Sequence, residues 1–512
     1  MMNYLKQYIT HSTLFSKEKY LHFLDAPLSE QLNIATFIKH NQGVLLTEWV
    51  APNKTMQTTH WFTLYLLPDK GIYCVQSPLK QKLPALVDLS NPFPVCNRLQ
   101  RAIYELTRIP TRHFKDKRYW LNHGYFPLGI LNDGRMSKPA RKQHYAFKKV
   151  TGNGVHEIPV GPVHAGIIEP GHFRFSVVGE RLLKLEERLG YTHKGIHQLL
   201  KNKSIDEALH LMGRISGDST VAYAIAFAQA CEQSKNGPVH FNIALERNIC
   251  LERERLMNHI GDIGAIINDA GLPALQSSFS CLKEQMLQYN ARYMKHRYMM
   301  DCITPFSQQM LLTDASLKAM IAELIEIEKK LRSLHKIVET DGGLQDRLQT
   351  TGMISTEQAH QLGLLGLAAK ASGIDLDLRR WFPADSMIPN FISACSTTTG
   401  DVAARVAIRF KESLESIHLI RKFIEQREAN ESPIHADERP SPTHIGIGIV
   451  EGFRGSVTVI VSLDNNRVEW CHFHDPSWQN WLAVEYAILN NIVADFPLIN
   501  KSFNLSYSGQ DS

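Results

Sequence analysis

The sequence predicts an α+β protein: a small α+β N-terminal domain, then a mainly helical domain that carries small β-sheets. Three observations predict it. Short apolar runs broken by proline and glycine fill the first part of the chain, long amphipathic segments at helical spacing fill the middle, and strand-like apolar segments return before the C-terminus. A length of 512 residues predicts roughly two to four domains. With 44% hydrophobic and 21% charged residues, the composition is that of a globular protein with a large core.

Residues 1–135 read as the α+β domain. Trp61-Phe62-Thr63-Leu64-Tyr65-Leu66-Leu67 predicts a strand, broken by Pro68 and Gly71. Asn97 to Ile109 predicts a helix that stops before Pro110. Residues 136–155 read as a basic linker. Its Met136 to Lys149 stretch holds Lys138, Arg141, Lys142, Lys148 and Lys149, and suits either a solvated loop or an extended arm against a partner.

The second domain spans 156–512. Ile158 to Val178 alternates and carries Gly161, Gly166 and Gly171, which predicts a β-hairpin or small sheet. Helices then dominate. Thr220 to Gln233 is apolar on most sides and predicts a buried helix. Phe241 to Asn268 places Leu245, Ile249, Leu256, Ile260, Ile263 and Ile267 at helical spacing, and Ser316 to Val338 and Asp401 to Arg427 behave alike. Long helices in series predict a bundle core. Ile445 to Leu463 and Val468 to His474 read as strands, and Trp478 to Asn491 as a last helix leading into the tail.

Charge and cysteine usage exclude several classes. Lysine plus arginine number 56 against 51 acids, a net +5. That is too mild to argue for nucleic acid, and no nucleic-acid motif occurs; it is compatible with an anionic membrane surface nearby. Cys74, Cys96, Cys231, Cys250, Cys281, Cys302, Cys395 and Cys471 form no Cys-x-x-Cys pair, the pattern of reduced thiols in a cytosolic protein. The N-terminus is polar and interrupted by Lys6, His11, Lys17 and Glu18, so no signal peptide is expected. No run of about 18 apolar residues predicts a membrane span. The most apolar window, Ile445 to Val461, contains Glu451 and Arg454. Work at a membrane would need other subunits to hold the chain there.

Two short segments carry a resemblance. Gly213-Arg214-Ile215-Ser216-Gly217-Asp218-Ser219-Thr220-Val221-Ala222-Tyr223 resembles the first nickel-binding motif of a nickel–iron hydrogenase large subunit, with Ser216 and Ser219 where that family has a Cys-x-x-Cys pair. Lys501-Ser502-Phe503-Asn504-Leu505-Ser506-Tyr507-Ser508-Gly509 resembles the second, with Ser506 and Gly509 in the cysteine places. Further segments resemble the same superfamily, which unites hydrogenase large subunits with the 49-kDa subunit of respiratory complex I. They follow family order: Gly161 to Arg174, Thr192 to Ile196, Leu251 to His259, Ala371 to Arg380, Gly400 to Arg405, Glu451-Gly452-Phe453-Arg454-Gly455, and Asp475 to Trp478. Residues 1–135 more weakly resemble the 30-kDa subunit of complex I, which is fused ahead of the large subunit in hydrogenase-4 and formate-hydrogenlyase type complexes.

The resemblance implies a peripheral subunit on the cytoplasmic side of the inner (plasma) membrane. Its partners would be an iron–sulfur small subunit and antiporter-like membrane subunits. Redox or conformational change in such a complex is coupled to ion translocation, in the manner of an NADH–quinone oxidoreductase. A nickel–iron centre is not expected, because soft metals need soft anionic sulfur; the iron–sulfur cluster would sit in the partner, and the electron acceptor would be a quinone or another small molecule in the pocket. NADH would bind elsewhere in the complex, since no Gly-x-Gly-x-x-Gly occurs in this chain. The rival reading is a non-catalytic scaffold that docks the iron–sulfur subunit on the membrane subunits.

The candidate site follows. Asp218 or Ser219 could simply cap the helix after them. The functional reading is a polar pocket floored by Ser216, Asp218 and Ser219 and roofed by Ser506, Tyr507 and Ser508, with Arg214 as a pocket residue. A helix N-terminus there favours anions and polar ligands. Glu169 stands where the family's hydrogenases place a proton-transfer glutamate, and reads as a proton relay or as the partner of Arg174. The complex I tyrosine that contacts quinone falls near Gly217. His164, His172 and His193 read as packing histidines. In Cys471-His472-Phe473-His474 the two histidines share a strand face, a weak metal pair. Glu252, Arg253, Glu254 and Arg255 read as a salt-bridged helix face, and Arg405 and Arg409 as helix-holding or anion-steering arginines.

Overall fold

The computed structural model describes residues 3–16, 19–53, 58–68, 70–79, 84–131, 144–164, 168–235, 237, 239–307, 310–381, 392, 395–427, 433–434 and 445–511. The architecture is α+β. Five strands, β1 (Ile9–Ser16), β2 (Lys19–Asp25), β3 (Val44–Asn53), β4 (Thr58–Leu67) and β5 (Gly71–Pro78), form one sheet in the order β1-β2-β5-β4-β3. Only β2 and β5 run parallel. Helices α1 (Asn3–Lys6), α2 (Gln31–His40) and α3 (Cys96–Thr107) accompany it. The predicted strand around Trp61 to Leu67 is the buried part of β4. Helix α3 stops before the predicted Ile109, because Arg108 turns into the left-handed region (φ 60°) and its N–H bonds Tyr104 O at 2.8 Å. Buried Glu105 on α3 then accepts the N–H groups of Leu121 (3.0 Å) and Asn122 (2.6 Å), tying the next segment to the helix.

Lys138, Arg141, Lys142 and Gly166 lie outside the described residues. The rest of the basic stretch, 144–149, is pinned to the chain itself. Tyr145 lies over the guanidinium groups of Arg118 (4.6 Å) and Arg188 (4.5 Å), and Lys148 N–H donates to Glu186 at 2.8 Å. The predicted hairpin exists as β6 (Val155–Val160) and β7 (His172–Val178), with a third strand, β8 (Arg181–Arg188), completing an antiparallel sheet.

Short helices α4 (Ile196–Leu199) and α5 (Ile205–Met212) lead into the bundle of α6 (Thr220–Lys235), α7 (Phe241–Asp269), α8 (Pro273–Tyr293), α9 (Asp314–Thr340) and, later, α14 (Val402–Arg427). Between the last two lie α10 (Gly342–Leu348), α11 (Thr356–Leu362), α12 (Gly366–Ala371) and α13 (Leu378–Trp381). Two of the long helices, α9 and α14, start at side-chain caps: Thr313 Oγ1 accepts Ser316 N–H (3.3 Å) and Asp401 Oδ1 accepts Ala404 N–H (2.8 Å).

A two-residue ladder joins β9 (Val239–His240) to β10 (Pro433–Ile434), and β11 (Ile445–Glu451), β12 (Ser456–Asp464) and β13 (Arg467–His474) form the last sheet. The apolar run from Ile445 is thus a hairpin with a turn at 452–455. Helix α6 packs directly on β11: a Cβ at Gly446 would stand 1.7 Å from Ala230 O, and one at Gly448 1.9 Å from Ala226 O. Helix α15 (Ser477–Ala487) is followed by α16 (Phe496–Phe503) and α17 (Tyr507–Asp511), so the tail is helical and buried.

The charges of α7 are not a solvated face. Glu252, Arg253, Glu254 and Arg255 are all buried, because neighbours surround the helix. Arg253 pairs with Glu323 (2.8 Å), Arg255 with Glu412 (2.8 Å), and Glu252 with Arg379 (3.0 Å); the one pair within the helix, Arg255 to Glu252, is longer at 3.4 Å. Arg409 likewise holds Asp262 at 3.2 Å, and Arg405 donates to Ser502 Oγ, Gly400 O and Gly352 O. Both arginines join helices and turns inside the bundle.

Candidate functional site

The turn before α6 and the start of α17 meet, although they lie 290 residues apart: Ser216 Oγ is 2.9 Å from Ser506 Oγ. Each turn is fixed locally. Ser219 N–H bonds Ser216 O at 3.1 Å. Gly509 N–H donates to Ser506 Oγ at 2.8 Å, and Ser506 N–H to Ser477 Oγ at 3.0 Å. The segment 190–194 grips both sides. Lys194 Nζ donates to Arg214 O (2.8 Å) and Ile215 O (2.7 Å), while Asp511 accepts from Gly190 N–H (2.8 Å) and Thr192 N–H (2.9 Å). Ser508 Oγ stands 3.5 Å from Ser506 Oγ, and Ser508 N–H donates to Glu169 Oε2 at 3.0 Å. Glu169 therefore joins the cluster. Arg174 instead contacts Glu157 at 3.1 Å. Tyr507 forms the wall: its ring packs edge-on against Trp481 (4.8 Å) and fills the space a Cβ on Gly171 would need.

Asp218 is the polar centre. It accepts from Ser216 Oγ (2.8 Å) and, at longer range, Ser219 Oγ (3.3 Å). The arginine that meets it is Arg454, from the 452–455 turn, with Nη1 at 2.9 Å and Nη2 at 2.5 Å from the two carboxylate oxygens. Burial pushes the Asp218 carboxyl up, but the charge and hydrogen bonds of Arg454, with Ser216, outweigh it and hold the group at about 2. Arg214, which the sequence places in the pocket, is elsewhere. It makes a bidentate pair with Asp301 (2.7 and 2.7 Å) and donates to His210 O, which occupies its guanidinium away from Asp218. The missed signal was Gly452-Phe453-Arg454-Gly455 itself: Gly455, at φ 142°, belongs to a tight turn that offers one cation.

The helix N-terminus is not free for an anion. Glu254, reaching from α7, accepts Val221 N–H (2.7 Å) and Ala222 N–H (3.1 Å). Burial pushes Glu254 up to about 8, its backbone hydrogen bonds opposing. Neither the Asp218 nor the Ser219 side chain caps the helix. Ser216, Ser219, Ser506 and Ser508 are buried, whereas the Asp218 side chain keeps 34% of its surface. What the site offers a ligand is the exposed edge of a carboxylate already paired with Arg454, beside hydroxyls, which suits a hydrogen-bond donor better than an anion.

A four-thiolate nickel–iron centre does not fit this donor set. Three of the positions carry neutral hydroxyls and the fourth is Gly509, where even a Cβ would stand 2.5 Å from Asp475 Oδ2 and 2.9 Å from Ser506 Oγ. Among the described residues no group of three or more His, Cys, Asp or Glu side chains is arranged to hold a metal. The histidines have other partners. His164, His172 and His193 each bond a backbone carbonyl, His472 contacts Thr47 Oγ1 (2.8 Å) and stacks on Trp49, and His474 contacts Gln479 Oε1 (2.9 Å).

The bundle, its flanking sheets and the two facing turns stand as the resemblance to a hydrogenase-type large subunit implies, with hydroxyls and a glycine at the thiolate positions. Residues 278–446 match the family described as respiratory-chain NADH dehydrogenase, 49 Kd subunit, and the chain carries a domain of this complex I 49-kDa/nickel–iron hydrogenase large-subunit family. It is similar to formate hydrogenlyase subunit 5 of Escherichia coli (strain K12), 24% identical over 93% of this chain and 86% of that one. It is also similar to hydrogenase-4 component G of the same organism, 25% identical over 72% of this chain and 63% of the relative. A chain in the solved structure of the membrane-bound sulfane sulfur reductase, an archaeal respiratory membrane complex, shares the fold with a TM-score of 0.62 at 17% identity, over 71% of this chain and all of that one.

Proposed function

We propose that the chain is a peripheral subunit of a membrane-associated complex related to complex I and to energy-converting hydrogenases, coupling redox or conformational change to ion translocation. It acts in the manner of an NADH–quinone oxidoreductase, not as a hydrogenase. The relatives named above, which belong by name to hydrogenase and respiratory complexes, support this reading. No described helix is long and apolar enough to cross a membrane, so attachment runs through partners. Those partners are an iron–sulfur small subunit and antiporter-like membrane subunits, on the cytoplasmic side. In this reading residues 1–135 are the 30-kDa-like domain, 136–155 the linker, and 156–512 the large-subunit domain.

One observation carries the ligand assignment: Asp218, ionised and part exposed, accepts from the hydroxyls of Ser216 and Ser219. Such an edge binds the hydroxyl of a reduced quinone more tightly than the carbonyl of an oxidised one. Held at about 2, Asp218 is a good acceptor but too weak a base to take the proton. Glu169, one hydrogen bond from Ser508, is the residue placed to relay it. Thermal unfolding of the purified complex tests this. A short-chain quinol should raise the melting temperature of the wild type and leave Asp218→Asn unmoved, and Glu169→Gln should impair turnover while keeping the shift. If no quinol or quinone shifts the wild type, the scaffold reading takes its place.

A further inference from the structure

A second polar site is buried where three elements meet, away from the serine cluster. Arg98 on α3 places Nη2 3.1 Å from Glu187 Oε2 on β8 and 2.9 Å from Glu485 Oε1 on α15. Trp120 covers the guanidinium face at 4.5 Å. The Glu187 side chain is fully buried and that of Arg98 nearly so, while Glu485 keeps 23% of its surface. Glu485 Oε1 also accepts Glu187 N–H at 3.1 Å. Among the described residues, neither oxygen of Glu187 receives a hydrogen bond; the approach of Arg98 is a contact without that alignment.

Two carboxylates against one guanidinium leave one negative charge uncompensated in a site that reaches solvent at Glu485. Like charges that share one counter-ion in a buried site raise one another's pKa, and a proton taken up there belongs to the pair. The other ionisable groups facing the site do not supply the missing charge. Lys184 pairs with Glu186 at 3.5 Å, Arg118 is held by Asp116 at 2.6 Å as well as by Glu186 at 2.5 Å, and Tyr507 of α17 is a further neighbour. Burial lifts both Glu187 and Glu485 above the usual carboxylate range, with Arg98 opposing.

We propose that Glu187 and Glu485 share one exchangeable proton across Arg98, a proton-holding site with Glu485 as its opening to solvent. Its place in the fold gives it a use. Strand β8 pairs with β7, which follows Glu169; α15 begins at Ser477, which fixes Ser506; and Tyr507 lies in the field of both Glu187 and Glu169. Gain or loss of the shared proton changes the charge behind the wall of the serine cluster.

Infrared difference spectroscopy on the full chain, wild type minus variant at neutral pH, tests the sharing. The carbonyl band of a protonated carboxylic acid should vanish in Glu187→Gln and equally in Glu485→Gln, because the remaining acid then has Arg98 to itself. Arg98→Lys, which keeps the charge, should retain the band. A band unchanged in both glutamine variants, or lost in only one, overturns the proposal. Melting temperatures give a second, independent reading. A carboxyl raised on folding makes the folded state bind more protons above about pH 4.5, so wild-type stability falls as pH rises through that window. The melting temperature of Glu187→Gln minus that of wild type should therefore grow by about 2 °C or more between about pH 5 and about pH 8. A difference that stays level or shrinks means that both acids are ionised and overturns the proposal.

Discussion

At the scale of single residues, the site is governed by one ion pair that the sequence does not display. Asp218 and Arg454 lie 236 positions apart, and only the fold brings them together. Asp218→Asn leaves the buried Arg454 without its partner and should cost about 2 kcal/mol at neutral pH, less than a fully buried pair because Asp218 is part exposed. The sign with pH follows from the depressed carboxyl. Its stabilisation is complete above the unfolded value near 3.8 and is lost as pH falls through about 2, so the gap between variant and wild type in chemical denaturation should close in that acid window. Ser216, Ser219, Ser506 and Gly509 were legible as a group because their spacing survives the loss of sulfur. Arg214 was misplaced, since adjacency in sequence says nothing about which side of a turn a side chain leaves. Glu254 went unseen as the helix cap because it reaches across from α7.

At the scale of elements, what the sequence made legible was periodicity. The α7 and α14 helices and the β4 strand stand close to where their apolar spacing predicts them. Strand β8 had no apolar alternation to announce it, because its Glu186, Glu187 and Arg188 are charged yet buried by α3, α15 and the strap at 144–149. The same burial by tertiary partners turned the charged stretch of α7 from an expected helix face into cross-helix pairs. The contact of α6 with β11 depends on two glycines whose added Cβ atoms would fall on helix carbonyls. Gly446→Ala or Gly448→Ala should each cost about 3 kcal/mol in thermal or chemical unfolding. Gly452→Ala, with its nearest neighbour at 3.4 Å, should cost much less. Equal effects at the three positions would contradict the close packing described. The site inherits this packing, since β11 leads directly into the turn that carries Arg454.

At the scale of the whole molecule, the order of elements was legible from motif order, while the chemistry of the site had to come from its geometry. The family frame is retained, yet the facing turns meet through hydroxyls, and the position of Gly509 has no room for a thiol. Restoring Ser216→Cys, Ser219→Cys, Ser506→Cys and Gly509→Cys together should therefore give a destabilised protein without stoichiometric nickel by elemental analysis; tight nickel with hydrogen uptake would contradict the donor-set argument. The central claim concerns assembly, and affinity purification of the tagged full-length chain from solubilised native membranes, with mass spectrometry of what accompanies it, tests it most directly. The account predicts an iron–sulfur small subunit together with antiporter-like membrane proteins in fixed ratio to the chain. Recovery of the chain from the soluble fraction with none of these partners would contradict it.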